Sequence, residues 1–347
     1  MKNTRYLVIG AGLAGATCAY LLKRTGHEVL VLERLDLKAK AKLCAGLCTP
    51  RAIETLHLIY GFEADHLFKQ HLTSVRCIAD EITAVVGNIS TKSVERRELD
   101  AFTVAKYHEL GGQTIDRFSL RSIDPVNKVV TGFVNHEHPF ECSYDVLIAA
   151  DGALSTTRQL LTGSAPDAIL ALEADVEHRG APYTMAYESG FFGYSWYAPA
   201  GGRAKIGCTA FRGNPDLRAE LERFSHFIGV EAEQVRGAYI PTGSDVLLHK
   251  GSCYFLGDAA SLICPPSGEG IYFALWSAWC LARALTTSAS YEALLAKTCA
   301  VIRREYRTRD VFFNKRFMEF GIKAADATPY GRERAVKYAL KHFASFE

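Results

Sequence analysis

Three glycines near the start of the chain carry the first recognisable chemistry. Gly10-Ala11-Gly12-Leu13-Ala14-Gly15 follows a short apolar strand, Tyr6 to Ile9. It opens a helix predicted over Ala14 to Lys23, with Gly26 just past its end. A second strand, Val29 to Leu32, leads to Glu33. Strand, glycine turn, helix and strand make a parallel βαβ unit, the context that gives a G-x-G-x-x-G string its meaning. Gly10 permits the tight turn, Gly12 lets a pyrophosphate reach bare backbone, and Gly15 lets the helix pack close to the strand. The helix start, with Ala14 in its first turn, offers free N–H groups and partial positive charge to phosphates. Glu33 suits ribose hydroxyls, and Arg34 is placed to flank an adenine. The unit predicts dinucleotide binding and does not by itself choose between FAD and NAD.

Two later segments bear on that choice. Asp145-Val-Leu-Ile-Ala-Ala-Asp151-Gly152 and Phe255-Leu-Gly257-Asp258-Ala-Ala260 are short buried-type strands, each ending at an aspartate beside a glycine. Such an ending puts a carboxylate at the carboxyl edge of an open sheet, where ligands bind. Asp258 is placed to hold a ribityl hydroxyl. Pro265-Pro-Ser-Gly268-Glu269-Gly270 then leads into a helix from about Ile271. Backbone N–H groups at Gly268, Gly270 and Ile271 would face negative charge on the pyrimidine edge of a reduced flavin. Glu269, between the two glycines, reads as a group that holds this loop, with proton relay as the alternative.

Together these motifs resemble the FAD-dependent oxidoreductases of the p-hydroxybenzoate hydroxylase-like fold, and among them the geranylgeranyl reductase family. The resemblance runs from about residue 4 to 285. Besides the glycine turn with Glu33, four segments carry it. Lys42-Leu-Cys44-Ala45-Gly46 resembles the family's Lys-x-Cys-Gly-Gly, with Ala45 replacing the first Gly. Arg96-Arg-Glu-Leu99-Asp100 resembles its Arg-x-x-Phe-Asp, which implies that Arg96 lies along the FAD. Tyr194-Ser-Trp196-Tyr-Ala198-Pro resembles the Tyr-x-Trp-x-Phe-Pro stretch of the substrate cavity, with Ala198 for Phe. Gly257-Asp258-Ala-Ala-Ser261 through Gly268-Glu-Gly270-Ile271 resembles Gly-Asp-Ala-Ala-Gly … Gly-Glu-Gly-Ile, with Ser261 for Gly.

The resemblance implies bound FAD and hydride delivery to a C=C bond of an isoprenoid-like apolar substrate. An unactivated alkene has no oxygen to polarise, so catalysis would rest on placement and exclusion of water. Cys44, Tyr194 and Trp196 are the implied catalytic group, and Ala45 and Gly46 join the cofactor site. Cys44 reads as a modulator of the flavin or a proton source; the alternative is a buried thiol without a chemical role. Tyr194 and Trp196 line the cavity, and Tyr197 would face the other side of a strand. Ala198 for Phe widens the cavity, so the substrate itself stays open. An FAD monooxygenase or halogenase of the same fold is the second reading, although Tyr194 stands where a halogenase carries Trp. A non-catalytic flavoprotein that binds an apolar ligand is the third. No second nucleotide unit is visible, so NAD(P)H, ferredoxin or a quinol would act as a transient electron donor.

These residues need elements to hold them. With 347 residues and 48% apolar content the chain has room for about two domains. The predicted class is mixed α/β: a Rossmann-type FAD-binding domain, an inserted antiparallel-sheet substrate domain and a helical C-terminus. The expected FAD domain covers residues 1–71, 93–161 and 248–290. Alternating aromatic stretches at Tyr183 to Tyr187, Phe191 to Tyr197 and Ala204 to Phe211 assign residues 162–247, with 72–92, to the substrate domain. Residues 291–347 read as helical. A net charge of +2 gives no global field for nucleic acid. Ten scattered cysteines form no C-x-x-C pair, and no metal site is expected. No apolar run reaches the roughly 18 residues of a membrane span, and the expected location is cytoplasmic. From Lys297 to Glu347, twelve Lys and Arg stand against six Asp and Glu. Arg303, Arg304, Arg307, Arg309, Lys315 and Arg316 lie among Val311, Phe312, Phe313, Phe317 and Phe320. That pattern reads as a solvated helical face, with peripheral contact at the inner membrane face as the alternative.

Overall fold

Tyr6-Leu7-Val8-Ile9 is apolar on both faces, and a strand of that kind must be covered on both. It is the middle of a parallel sheet in a computed structural model that describes residues 2–79, 82–187 and 191–312. In chain order the strands are β1 (Lys2–Ile9), β2 (Val29–Leu32), β3 (Leu47–Cys48), β4 (Phe68–Ala79), β5 (Ile82–Val94), β6 (Gln113–Ile115), β7 (Phe118–Asp124) and β8 (Val129–Val134). There follow β9 (His138–Ala149), β10 (Ala168–Glu177), β11 (Thr184–Tyr187), β12 (Gly193–Ala200), β13 (Arg203–Ala210), β14 (Arg236–Pro241), β15 (His249–Lys250) and β16 (Cys253–Phe255). The helices are α1 (Leu13–Arg24), α2 (Pro50–Tyr60), α3 (Arg96–Glu109), α4 (Thr156–Thr162), α5 (Leu217–Ile228), α6 (Ile271–Thr286) and α7 (Tyr291–Phe312).

The first sheet runs β15-β16-β9-β1-β2-β6, and β7 and β8 continue from β9 as an antiparallel meander. β16, β9, β1, β2 and β6 are parallel, with Leu7 opposite Leu30 and Leu147. Their carboxyl ends therefore share one edge, which gathers Gly10, Glu33, Asp151 and Gly257. Leu7, Val8, Leu147 and Ile148 are fully buried in a core they share with residues of α1, α6 and α7. Each such side chain contributes roughly 1.5–3 kcal/mol on burial.

The second sheet runs β14-β10-β13-β12-β11-β4-β5-β3. It is antiparallel except where β11 meets β4, and it holds the three aromatic stretches together. The β4–β5 hairpin spans Phe68 to Val94, longer than the 72–92 expected from sequence. Its alternating residues sort to two faces. One packs on α5 through Ile78, Ala174, Tyr197, Ile206, Leu221 and Phe224. The other gathers Val75, Met185, Tyr194, Trp196, Ala198 and Phe211 with Ala45 and Leu47 of the loop that precedes α2. The chain thus turns its second sheet so that Tyr194 and Trp196 face the Lys42–Gly46 loop.

Helix limits follow local chemistry. Thr49 caps α2 by accepting from the Ala52 N–H, Pro50 stands at its first position, and Gly61 ends it. Among the described residues, no helix is long and apolar enough to cross a membrane.

Candidate active site

α3 starts without a side-chain cap but with Glu98 in its first turn, whereas α1 and α6 start with neither a side-chain cap nor an acidic residue. Gly12 and Gly270 are their N-caps, neither first turn holds an acidic residue, and their leading N–H groups stay open. The glycine turn is set by close approach. Gly10 has φ +103°, and a Cβ there would come within 2.4 Å of the Ala150 carbonyl oxygen. A Cβ on Gly15 would lie 1.9 Å from the Gly10 carbonyl oxygen. Gly257, where α1 and α6 meet, touches Ala14 and Ala274 at 3.4 Å from a would-be Cβ. Both bare helix starts thereby lie along the carboxyl edge of the first sheet.

Carboxylates frame the same edge. Buried Glu33 accepts the Ala11 N–H at 2.8 Å, the Leu35 N–H at 2.9 Å and the Lys40 ammonium at 2.5 Å. It therefore braces the glycine turn from behind while standing at the ribose position. Lys40 is also the nearest group to Gly12, its Nζ 3.9 Å from a would-be Cβ. Asp258 accepts from Lys42 at 2.6 Å and lies 3.3 Å from a would-be Cβ on Gly270. Arg34 is exposed. Asp151 differs from the expectation of a ligand-facing carboxylate: its oxygens accept from Ser155 at 2.5 Å and from the Thr157 N–H and hydroxyl at 2.9 Å. It caps α4, and its backbone, not its carboxylate, abuts Gly10.

The remaining sequence-predicted residues come together on the other side of this edge. Gly46, at φ +69°, passes within 2.0 Å (measured from a would-be Cβ) of the Val94 carbonyl oxygen, which fixes the loop against β5. Arg96 is buried and paired with Asp100 at 2.8 Å; its Nε has no hydrogen-bond partner among the described residues. The Cys44 sulfur lies beside that guanidinium. Tyr194 and Trp196, ring centres 5.7 Å apart, share one face of β12, while the Tyr197 hydroxyl meets His178 on the other. Tyr194 donates to the Ser267 carbonyl at 2.7 Å, so the aromatic wall is tied to the Gly268–Ile271 loop. Gly268 has φ +69° and leaves no room for a Cβ, which would sit 2.6 Å from the Tyr194 hydroxyl oxygen.

Two carboxyls in this region have unusual acidity. Burial pushes Glu269 up to about 7, against the Thr49 hydroxyl that donates to it at 2.6 Å and the charge of Arg51. Burial likewise pushes Glu173 on β10 up to about 7, against Lys205 and the Cys44 N–H that it accepts at 3.0 Å. Glu173 was not anticipated. In Leu172-Glu-Ala-Asp-Val-Glu177 the carboxylates alternate with apolar residues and read as a solvated strand face. Lys205 on the neighbouring strand pairs with Asp175 and Glu95.

The residues present fit a flavin dinucleotide. Open amides of Gly12 to Gly15 can hold the diphosphate, Glu33 the ribose, Asp258 the ribityl chain and Gly268 to Ile271 the pyrimidine edge. The unpartnered Arg96 Nε adds a buried donor along the same path. An NAD(P)-binding Rossmann-like domain matches residues 8–37. A geranylgeranyl diphosphate reductase of Rhodobacter capsulatus is 27% identical over 300 residues, 77% of this chain and 71% of that protein. A geranylgeranyl bacteriochlorophyll reductase-like protein from Thermoplasma acidophilum superposes with TM-score 0.80 at 18% identity, over 97% of this chain and 96% of that one. The chain has the FAD-dependent oxidoreductase fold and resembles the geranylgeranyl reductase family. A probable FAD-dependent monooxygenase from Pseudomonas aeruginosa shares the fold at TM-score 0.68 and 17% identity, covering 97% of this chain and all of that one. For a geranylgeranyl reductase-like chain, the basic C-terminal pattern is described only in part. Arg303, Arg304 and Arg307 are exposed on α7, whereas Arg309 is buried over the Phe211 ring. Lys315, Arg316, Phe313, Phe317 and Phe320 lie outside the described residues.

Proposed function

We propose that this chain is a flavin-dependent reductase that adds hydrogen across a C=C bond of an isoprenoid-like, apolar substrate. The observation that carries this reading is the buried wall of Tyr194, Trp196, Ala198, Met185 and Val75 set against the Cys44–Gly46 loop. The names of the relatives support it. FAD, when bound, would supply the hydride. The chain's own residues do the rest. The open amides of α1 bind the diphosphate, and those of α6 favour negative charge at the pyrimidine edge. Tyr194 fixes the wall to that loop, and the wall orients an alkene and excludes water. Glu173, Glu269 and Cys44 are the groups able to hold a proton near it, and the two carboxyls do so near neutrality. NAD(P)H, ferredoxin or a quinol supplies the electrons in passing, and the exposed arginines of α7 offer a peripheral contact for a lipid-bearing surface.

The test is a single turnover. Dithionite-reduced holoprotein is mixed anaerobically with geranylgeraniol and, separately, with geranylgeranyl diphosphate, and products are weighed by mass spectrometry. The expected result is one added hydrogen pair per double bond reduced, with flavin reoxidation. The monooxygenase reading, favoured by the Pseudomonas structure's fold, requires reoxidation only with O₂ and an oxygenated product. Flavin that binds but is reoxidised by no substrate in either setting supports the non-catalytic reading.

A further inference from the structure

Two buried polar atoms on the inner face of the second sheet have no hydrogen-bond partner among the described residues, and they share one row of it. Glu173 stands opposite Gly207 on β13, and Gly207 stands opposite Trp196 on β12. Glu173 is 4% exposed and Trp196 is 6% exposed. The orphan atoms are Glu173 Oε2 and Trp196 Nε1. Gly207 makes the arrangement possible. The indole lies across it, its Cζ2 and Cε2 atoms 2.2 and 2.6 Å from where a Cβ would stand. Nε1 is bonded to Cε2, so the indole N–H lies beside the bare position on β13, the strand between β12 and β10. Neighbouring strands stand roughly 4.8 Å apart, so the carboxyl on β10 and the indole edge over β13 are one strand apart on the same face.

A buried donor or acceptor left unmatched costs about 1–3 kcal/mol. Trp196 Nε1 can only donate. Glu173 Oε2, when ionised, can only accept. The group that satisfies both must accept one hydrogen bond and donate another from the same small volume. A hydroxyl does this. With Glu173 ionised, a phosphate or carboxylate cannot, because it would meet a carboxylate, and a carbonyl accepts from Trp196 and offers Glu173 nothing; with Glu173 protonated, a hydroxyl still accepts from both groups. Glu173 Oε1 is already committed to the Cys44 N–H, which orients the carboxyl and closes the Lys42–Gly46 loop over this row.

We propose that Glu173 and Trp196 form a clamp for a hydroxyl group on the ligand, so that the substrate is an isoprenoid-like alcohol bound with its oxygen on β10 and β12. This deepens the reductase reading and rests on it for the location of the substrate. Other charged groups nearby are engaged elsewhere: Lys205 with Asp175 and Glu95, Arg236 with Asp175, and Arg96 with Asp100. Water satisfies the same two contacts and is what the hydroxyl displaces.

The experiment follows the indole N–H signals of ¹⁵N-tryptophan-labelled holoprotein by NMR. The chain has three tryptophans, so Trp276 and Trp279 report that each variant is folded. The probes are geranylgeraniol and the same polyprenyl hydrocarbon without its hydroxyl. The alcohol is expected to move the Trp196 signal and to bind about tenfold more tightly than the hydrocarbon, the equivalent of one matched hydrogen bond. Trp196→Phe should erase that tenfold preference. Equal affinity for the two probes overturns the clamp, as does a Trp196 signal that responds to flavin loading and not to the alcohol. If neither long probe binds, the isoprenoid reading fails, and prenol decides on the clamp alone: a moved Trp196 signal sustains it and a still one rejects it. Turnover is not needed for any of these outcomes.

Discussion

The two sheets approach the candidate site with different materials. The first offers backbone: open amides at Gly12 and Gly270, turns that tolerate no Cβ, and carboxylates that brace those turns. The second offers side chains: an aromatic wall, a half-satisfied carboxyl and an indole N–H. The difference teaches where specificity resides. Any dinucleotide meets bare amides in the same way, so the first sheet fixes a cofactor class. The second sheet carries groups whose pairing depends on the particular ligand.

The comparison breaks most sharply at Gly15. A valine there would drive a Cβ to 1.9 Å from the Gly10 carbonyl oxygen. Gly15→Val should cost about 3 kcal/mol in urea unfolding and abolish flavin retention, read from visible absorbance after gel filtration. An unaltered yellow protein would show that the first sheet does not depend on that approach.

The second sheet is tested through pH. Glu173 rises from an ordinary carboxyl value of 4.5 in the unfolded chain to about 7 in the fold. Between those values the native state holds a proton that the unfolded state has released, so its contribution to stability is full below 4.5 and falls as pH rises through 7. The fall is on the order of 3 kcal/mol across the window. Glu173→Gln, which cannot ionise, should flatten that part of the profile of urea midpoints; an unchanged slope would leave Glu173 without a raised proton affinity. Glu269 behaves in the same sense, and Glu269→Gln should flatten a comparable share.

Smaller effects sharpen the junction between the sheets. Tyr194→Phe removes the hydrogen bond to the Ser267 carbonyl and should cost about 1 kcal/mol, with loosened protease protection at residues 265–270. Gly207→Ala pushes a methyl into the Trp196 ring, and the expected sign is a red-shifted Trp196 fluorescence in a Trp276→Phe/Trp279→Phe background. No shift would mean that the indole does not need the bare position.

What the sequence disclosed follows the same division. β1, α1 and β2 were readable because a glycine turn constrains its own neighbours, and the helix predicted over Ala14 to Lys23 is observed over Leu13–Arg24. Tyr194, Trp196 and Cys44 were reached through the family resemblance, and the fold brings them to one side of the edge. Glu173 was hidden because its strand alternates as though one face met water. Only the docking of the Lys42–Gly46 loop, a segment far away in sequence, turns that face into an interior. Asp151 stands at a strand end, where a carboxylate suits a ligand or a helix start, and its oxygens accept from Ser155 and Thr157 at the start of α4. The β7–β8 meander went unread although Asp124-Pro-Val-Asn127 marks its turn, where Asp124 accepts the Val126 and Asn127 N–H groups.

Gly207 has a consequence for how such folds diversify. One hydrogen atom in place of a methyl lets a ring anchored on one strand lie across its neighbour. Any chain of this architecture that fills the position must send its indole elsewhere, whatever its aromatic motif says. A blank in the row is therefore part of the recognition code, and a single codon suffices to rewrite it.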